Sequence, residues 1–153
     1  MLVSVLSNLA ELPRWAMDLL RTARVARLGL SDTGGHPRVL PVTFAVHDGR
    51  LWTAIDQKPK RDPMRAPARV RYLRRDPRAS LTVDHYSDDW AELAWVQVLG
   101  TVEILEASTA EAALAALAEK YEPYRDSPPP GPLLALDPQR ILCWRASESG
   151  PKP

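Results

Sequence analysis

The residues best placed to do chemistry lie along two predicted strands and the loop that follows them. Residues 38–43 form the first strand, residues 52–56 form the second, and the loop then supplies Lys58, Lys60 and Arg61. Adjacent strands offer backbone donors and acceptors, and charge-assisted hydrogen bonds are the strong polar contacts to phosphate. The pattern therefore predicts a site for a ligand with a planar ring and a phosphate tail.

The remaining polar motifs predict no metal site. His36, His47 and His85 are scattered and lack the spacing of metal-binding pairs, and the lone Cys143 excludes both an internal disulfide and a cysteine-based zinc site. His36 and His47 fall at predicted turns, which favours solvated side chains. His85 lies within a strand and is interpreted as a core or interface residue.

The charge pattern limits the class of partner. The 153 residues carry a formal net charge of +1, so no bulk attraction to nucleic acid or membrane is expected. Residues 58–78 nevertheless hold nine basic and two acidic residues, which predicts an anionic partner or, as the plainer alternative, a solvated basic helix. Tyr72 is the only aromatic residue in this run, which argues against nucleic acid.

Nothing in the sequence predicts membrane insertion or export. No apolar run approaches the roughly 18 residues of a membrane-spanning helix. The N-terminal stretch is interrupted by Glu11, Arg14 and Asp18 and has no basic start, unlike a signal peptide. We therefore expect a cytoplasmic protein.

Hydrophobic periodicity predicts one domain over residues 1–147 and a frayed tail over 148–153. Apolar spacing of three and four indicates a helix within 5–22, for which Pro13 predicts a kink or a late start. A capping box, Ser108 with Glu111, predicts the start of another helix, and residues 122–132 form a proline-rich connector. A third helix is predicted at 68–75.

The predicted strands are 26–30, 38–46, 51–55, 79–86, 94–104 and 141–146. Short turns between them indicate an antiparallel barrel with helical covers.

Several sequence runs resemble one family over nearly the whole chain. They include Leu40-Pro-Val-Thr-Phe44, Ala54-Ile-Asp-Gln-Lys-Pro-Lys60, Val83-Asp-His-Tyr-Ser-Asp-Asp-Trp90 and the terminal Cys143-Trp144. These runs are similar to the pyridoxamine 5′-phosphate oxidase-like superfamily of split β-barrel flavoproteins, and most closely to its branch that uses the deazaflavin coenzyme F420. The resemblance implies a mainly β (α+β) fold, a six-stranded antiparallel split barrel with flanking short helices, and a homodimer with the cofactor between subunits.

The resemblance also implies which residues contact the cofactor. They are Arg38, Val39, Pro41, Val42, Thr43, Trp52, Thr53, Ala54, Lys58, Lys60, Arg61, Trp95 and Trp144. Thr43 stands where the oxidases have Lys, and Trp95 stands where they have Gln, which favours F420 over FMN. The implied activity is hydride transfer between F420 and a small organic substrate. Because the cofactor supplies the hydride chemistry, no dedicated catalytic residue is expected.

The sequence is also compatible with two alternative functions. An FMN-dependent oxidase or reductase of the same superfamily is the first alternative. A non-catalytic protein that binds a cofactor or a haem-type ligand in the same barrel is the second.

Overall fold

The computed structural model describes residues 3–55 and 65–146. In this part of the chain eight strands form one antiparallel sheet, and four α-helices flank it. The strands are β1 (Ser4–Leu6), β2 (Ala26–Ser31), β3 (Pro37–Val42), β4 (Ala45–His47), β5 (Arg50–Ala54), β6 (Arg78–His85), β7 (Ala94–Leu105) and β8 (Leu133–Arg145). The helices are α1 (Arg14–Thr22), α2 (Ala68–Arg75), α3 (Glu111–Lys120) and α4 (Pro123–Asp126).

The sheet curls into a half-barrel. Its strand order is β3-β2-β6-β7-β8-β5-β4, and β1 pairs with β8 outside this path. The two end strands, β3 and β4, are consecutive in the chain and are joined only by Thr43 and Phe44. The sheet therefore bends back on itself, and this two-residue corner connects its edges. The predicted mainly β class is confirmed, and the curled antiparallel sheet is consistent with the predicted split barrel.

The predicted count of six strands is wrong for two local reasons. Residues 4–6 pair with β8 as a strand, and α1 begins only at Arg14, because proline is tolerated at the start of a helix but not in its interior. The single strand predicted at 38–46 is divided by the corner at Thr43 and Phe44 into β3 and β4. The added strand β1 and the division of 38–46 raise the count from six to eight.

The last strand is also longer than predicted. The sequence places it at 141–146, but β8 begins at Leu133 and pairs with β7 through a register shift at Leu99 and Gly100. Gly100 lies opposite Pro138, which a strand accommodates at such an irregularity. A Cβ on Gly100 would lie 1.9 Å from the Asp137 carbonyl oxygen, so the close approach of the strands requires glycine.

Two apolar clusters hold the layers together. The larger cluster fills the barrel with core-facing residues of β2, β6, β7 and β8 and with the buried face of α1. The smaller cluster packs α3 against β5 and β8 through residues such as Trp52, Leu117 and Leu133. The predicted capping box is wrong, because the N-cap of α3 is Ala110 and Ser108 lies in a short 3₁₀ turn before it.

Candidate functional site

A cleft of about 230 Å³ opens where the end of β3 meets the end of β5. The β4–β5 turn has positive φ at Asp48 (49°) and Gly49 (71°), as expected for a two-residue hairpin turn. This tight return brings β5 back toward the corner that follows β3. The cleft lining comprises Val25, Pro41, Val42, Thr43, Thr53, Ala54 and Arg69, of which the sequence analysis predicts Pro41, Val42, Thr43, Thr53 and Ala54 as cofactor contacts.

Thr53 is the unusual residue of this lining. It is 4% exposed and is the one polar residue in the buried core of the described chain. Its Oγ1 has no hydrogen-bond partner among the described residues. Leaving a buried hydroxyl unsatisfied costs about 1–3 kcal/mol. A ligand polar atom in the cleft would remove that cost, so Thr53 Oγ1 fits a ligand with a hydrogen-bonding group.

The corner beside the cleft is fixed by two tyrosines that follow α3. Thr43 Oγ1 and the Tyr124 hydroxyl are hydrogen-bonded at 2.8 Å. The Tyr121 hydroxyl accepts the Phe44 N–H at 3.1 Å and donates to the Arg24 carbonyl oxygen at 2.9 Å. Burial raises the pKa of Tyr121, which keeps this hydroxyl protonated. The strand-to-strand connection is therefore held in place from the helical side.

Three of the predicted β3 and β5 residues do not line the cleft. Arg38 forms an ion pair with Asp32 at 3.6 Å and lines a neighbouring cleft of about 270 Å³ beneath α2. Val39 points outward and is 70% exposed. Trp52 faces α3, and its indole N–H donates to the His47 carbonyl oxygen at 2.9 Å. Because successive side chains of a strand point to opposite faces of the sheet, neighbouring residues of β3 and of β5 need not line the same cleft.

The other predicted contacts lie elsewhere. Trp95 and Trp144 are cross-strand partners on β7 and β8, half-buried on the sheet face opposite Val96 and Cys143. They do not line the cleft within this chain. Lys58, Lys60 and Arg61, the predicted phosphate contacts, lie outside the described residues.

Arg69 is a cleft residue that the sequence analysis does not select as a cofactor contact. It belongs to the basic run of 58–78 and lines both the main cleft and the neighbouring cleft beneath α2. Other arginines of the run make local contacts: Arg71 donates to the Ala66 carbonyl oxygen at 2.9 Å, and Arg75 donates to the Thr33 carbonyl oxygen. Arg78 donates a hydrogen bond to the Asp76 carboxylate and lowers the pKa of that carboxyl to about 2. The run is therefore functionally heterogeneous.

Val25, Tyr121 and Tyr124 are also absent from the predicted site. Tyr124 falls in the predicted proline-rich connector, and no local pattern in the sequence joins either tyrosine to the corner, which is 77 or more positions away. In the described chain no group of three or more His, Cys, Asp and Glu side chains could hold a metal ion. No helix in residues 3–55 and 65–146 is long and apolar enough to span a membrane.

Solved structures share this fold at low sequence identity. A conserved hypothetical protein, Rv2991, from Mycobacterium tuberculosis matches with a TM-score of 0.73 and 21% identity over 93% of this chain and 90% of the other. A heme-binding protein from Mycobacterium smegmatis matches with a TM-score of 0.67 and 22% identity over 92% of this chain and 57% of the other.

Two further matches have names that specify other cofactors. A FAD-binding protein from Mesorhizobium loti has a TM-score of 0.62 and 22% identity over 94% of this chain and 97% of the other. An F420 reductase has a TM-score of 0.59 and 19% identity over 85% of this chain and 98% of the other. At these identities the matches establish the fold, and the fold alone does not select a cofactor.

Sequence comparison identifies the family. No curated protein matches the chain in sequence. The sequence pattern of pyridoxamine 5′-phosphate oxidase, however, matches residues 12–145, which include every described strand except β1. The chain therefore belongs to the pyridoxamine 5′-phosphate oxidase family.

Proposed function

We propose that this protein is an F420-dependent oxidoreductase that transfers a hydride between the deazaflavin and a small organic substrate. The observation that carries the proposal is the buried Thr53 Oγ1, which has no hydrogen-bond partner among the described residues and lies on the wall of a cleft between the two strands predicted to contact the cofactor. When bound, a reduced deazaflavin supplies a hydride and reacts poorly with oxygen. The protein binds and orients the cofactor and excludes water.

The cleft residues fit such a group. Thr53 offers a hydroxyl to a polar atom of the ring system, and Pro41, Val42 and Ala54 provide apolar surface for its face. Thr43 is held by Tyr124, which fixes the wall of the cleft. Lys58 and Lys60, with Arg61 assisting, are proposed to bind the phosphate. The described lining holds no carboxylate, imidazole or thiol, so we assign positioning rather than proton transfer to these residues.

The charge beside the cleft favours F420 over FMN. F420 carries a lactyl–oligoglutamate tail beyond its phosphate, and FMN has no such tail. Arg69 lines both the main cleft and the cleft beneath α2, where Arg38 is a second cation. The similarity to an F420 reductase supports this choice, whereas the similarity to a FAD-binding protein supports a flavin as the alternative.

We also propose that the active form is a homodimer. The outward face of the sheet exposes apolar side chains, including Val39 (70% exposed) on β3 and Val5 (56% exposed) on β1. Trp95 and Trp144 are half-buried on the same face, away from the cleft of their own chain. A second copy covering this face would bury that apolar surface, and the two indoles could then contribute to a cofactor site between the subunits. Sedimentation as a monomer at micromolar concentration would contradict the homodimer.

A non-catalytic haem-type binder is a weaker candidate. One structural neighbour is a heme-binding protein. Haem iron in proteins is held by side chains such as His, Cys, Met or Tyr. The described cleft lining contains none of these residue types, and His36, His47 and His85 all lie outside it. The geometry therefore favours a cofactor that is held by hydrogen bonds and apolar contacts.

The deciding experiment titrates the purified protein with F420 and with FMN and follows the absorbance of each. Saturable, tighter binding of F420, together with oxidation of reduced F420 by an electrophilic substrate without oxygen consumption, would support the proposal. Equal or tighter FMN binding with peroxide production would identify an FMN oxidase. Binding of F420 without turnover across a panel of electrophiles would favour a cofactor-binding protein.

A further inference from the structure

A second cleft, separate from the cofactor cleft, lies between α1, β4 and α3. Its volume is about 510 Å³, and it shares no lining residue with the cofactor cleft. The lining comprises Arg21 from α1, Ala45 and Val46 from β4, and Ala116, Glu119 and Lys120 from α3. Cationic side chains therefore approach an apolar floor from two helices.

Lys120 is held in this cleft by aromatic rings and one carbonyl. Its Nζ lies 3.8 Å from the centroid of the Phe44 ring and 5.6 Å from that of Tyr121. The ammonium donates one hydrogen bond, to the Leu20 carbonyl oxygen at 3.4 Å. An ammonium has three donors, so the one carbonyl does not saturate Lys120, whose side chain also lines the cleft.

Lys120 and the arginines near it have no counter-ion among the described residues. The Arg24 guanidinium stacks on the same Tyr121 ring at 4.7 Å. Within the described chain, no carboxylate forms an ion pair with Lys120, Arg21 or Arg24, although other arginines are paired. Glu119 lines the cleft without approaching either cation closely enough to form an ion pair. Arg21 and Arg24 are exposed, but Lys120 is partly buried, and a partly buried charge is normally compensated by an anion.

The pKa of Lys120 also fits an amine that lacks a neighbouring anion. Burial, and secondarily the Arg24 guanidinium, lower the pKa of Lys120 to about 8. The Phe44 ring face opposes this shift, because it favours the charged amine. An anion beside Nζ would stabilise the ammonium further.

We propose that the cleft between α1, β4 and α3 binds a small organic oxyanion through Lys120 and Arg21, with its apolar body on Ala45, Val46 and Ala116. A guanidinium binds carboxylate and phosphate oxygens alike, so the shared chemistry is an oxyanion on a short apolar chain. Glu119 on the same wall repels a second negative charge. The expected preference is therefore a monoanion such as propionate over succinate or inorganic phosphate.

The test is calorimetric titration of the full chain with propionate, succinate and inorganic phosphate at constant ionic strength and pH 7. Acetylation of Lys120 by acetic anhydride, followed by mass spectrometry, gives a site-specific readout. We expect saturable propionate binding and slower acetylation of Lys120 when propionate is bound. Lys120→Met and Arg21→Gln should each weaken binding by roughly ten- to a hundredfold, the effect of losing one charge-assisted contact.

Matched controls keep the proposal falsifiable. Arg14→Gln removes an exposed arginine from the same helix as Arg21 and should leave propionate affinity unchanged, whereas Lys120→Arg retains the charge and should retain binding. Circular dichroism and thermal unfolding check that each variant is folded. Absence of saturable binding by the wild type, or wild-type affinity in both Lys120→Met and Arg21→Gln, would overturn the proposal. Tighter binding of phosphate than of propionate would overturn the preference for a monocarboxylate and retain the oxyanion site. F420 affinity is measured separately, so this site and the cofactor assignment can fail independently.

Discussion

The hydroxyl of Tyr121, at the end of α3, accepts a hydrogen bond from the backbone N–H of Phe44 across 3.1 Å and 77 positions of sequence. Phe44 belongs to the two-residue corner at which the sheet passes from β3 to β4. The same hydroxyl reaches the Arg24 carbonyl oxygen immediately before β2. One side chain therefore ties together the start of β2 and the corner after β3, and both flank the cofactor cleft.

Replacing Tyr121 with Phe should destabilise the protein by roughly 1–3 kcal/mol, because the buried Phe44 N–H loses its acceptor. Urea unfolding followed by circular dichroism measures the change. Tyr124→Phe removes only the partner of the Thr43 side chain and should cost about 0.5–1.5 kcal/mol, the net value of an ordinary hydrogen bond. Unchanged stability in Tyr121→Phe would mean that the corner does not depend on Tyr121.

Thr53→Val should affect the empty and the cofactor-bound protein in opposite directions. The substitution keeps the side-chain shape and removes a buried hydroxyl that has no partner among the described residues, so the stability of the empty protein should stay equal or rise. Cofactor affinity should fall by about three- to tenfold, corresponding to one neutral hydrogen bond. Urea unfolding and absorbance titration measure the two effects.

Unchanged affinity in Thr53→Val would remove the observation on which the cofactor site rests. A large loss of stability in the empty protein would instead show that Thr53 has a structural partner. The substitution Thr101→Val, on β7 and away from the cleft, controls for a general effect of replacing a strand threonine.

Local patterns were sufficient to predict most of the sheet. Alternating apolar residues predicted β2, β5, β6 and β7 within one or two residues, because each strand buries one face in the same core. The turn between β4 and β5 is also of a kind that sequence can indicate, because Asp48 and Gly49 both tolerate the positive φ that a two-residue hairpin turn needs. The start of β8 was missed because Pro138 and the proline-rich stretch before it weaken the strand pattern.

The candidate site was predicted less completely, because it depends on contacts between distant segments. Thr43, at the corner after β3, and Thr53, on β5, line one cleft although β3 and β5 do not pair with each other. Periodicity alone did not show that Trp52 turns toward α3 or that Trp95 and Trp144 lie on the outer face. The contribution of Tyr121 and Arg69 became evident only once helices and strands were packed together.

The unusual position of Lys120 predicts that stability increases with pH in the mildly alkaline range. The folded-state pKa is about 8, below the ordinary value of 10.5, so the unfolded chain holds this proton to higher pH. Between these values the unfolded state binds more protons, and the free energy of unfolding rises with pH. The charged and titratable groups facing Lys120 are Arg21 and Arg24 on the N-terminal side and Glu119 and Tyr121 around α3.

Urea unfolding between pH 7.5 and 9.5 tests this expectation. The window ends below 10, where Tyr121 would begin to ionise in the unfolded chain. Relative to the wild type, Lys120→Met should flatten the increase, and Arg14→Gln should leave it intact. An identical pH profile in Lys120→Met would show that other groups cause the dependence.

The predicted phosphate contacts give a direct test on the loop after β5. Each charge-assisted contact is worth roughly 1.5–3 kcal/mol, so Lys58→Ala should weaken cofactor binding by about one to two decades. The melting temperature of the empty protein should be nearly unchanged. Lys60→Ala should behave similarly. Retained affinity after loss of both lysines would place the phosphate elsewhere.

The choice between F420 and FMN predicts a distinctive dependence on salt. The carboxylates of the F420 tail would lie near Arg69, which lines the cleft, and near Arg65 and Arg74 of the same basic run. Each screened, surface-type pair contributes about 0.2–1 kcal/mol, and several together give a decade or more of preference. Screening acts over a Debye length of about 10 Å at 0.1 M salt, so the preference for F420 over FMN should shrink as salt rises.

Arg69→Gln should reduce F420 affinity more than Arg74→Gln, because Arg69 lines the cleft itself, and both should affect FMN less. Dissociation constants for the two cofactors at low and high salt measure these differences, and a salt-independent ratio would exclude the arginines as the source of the preference.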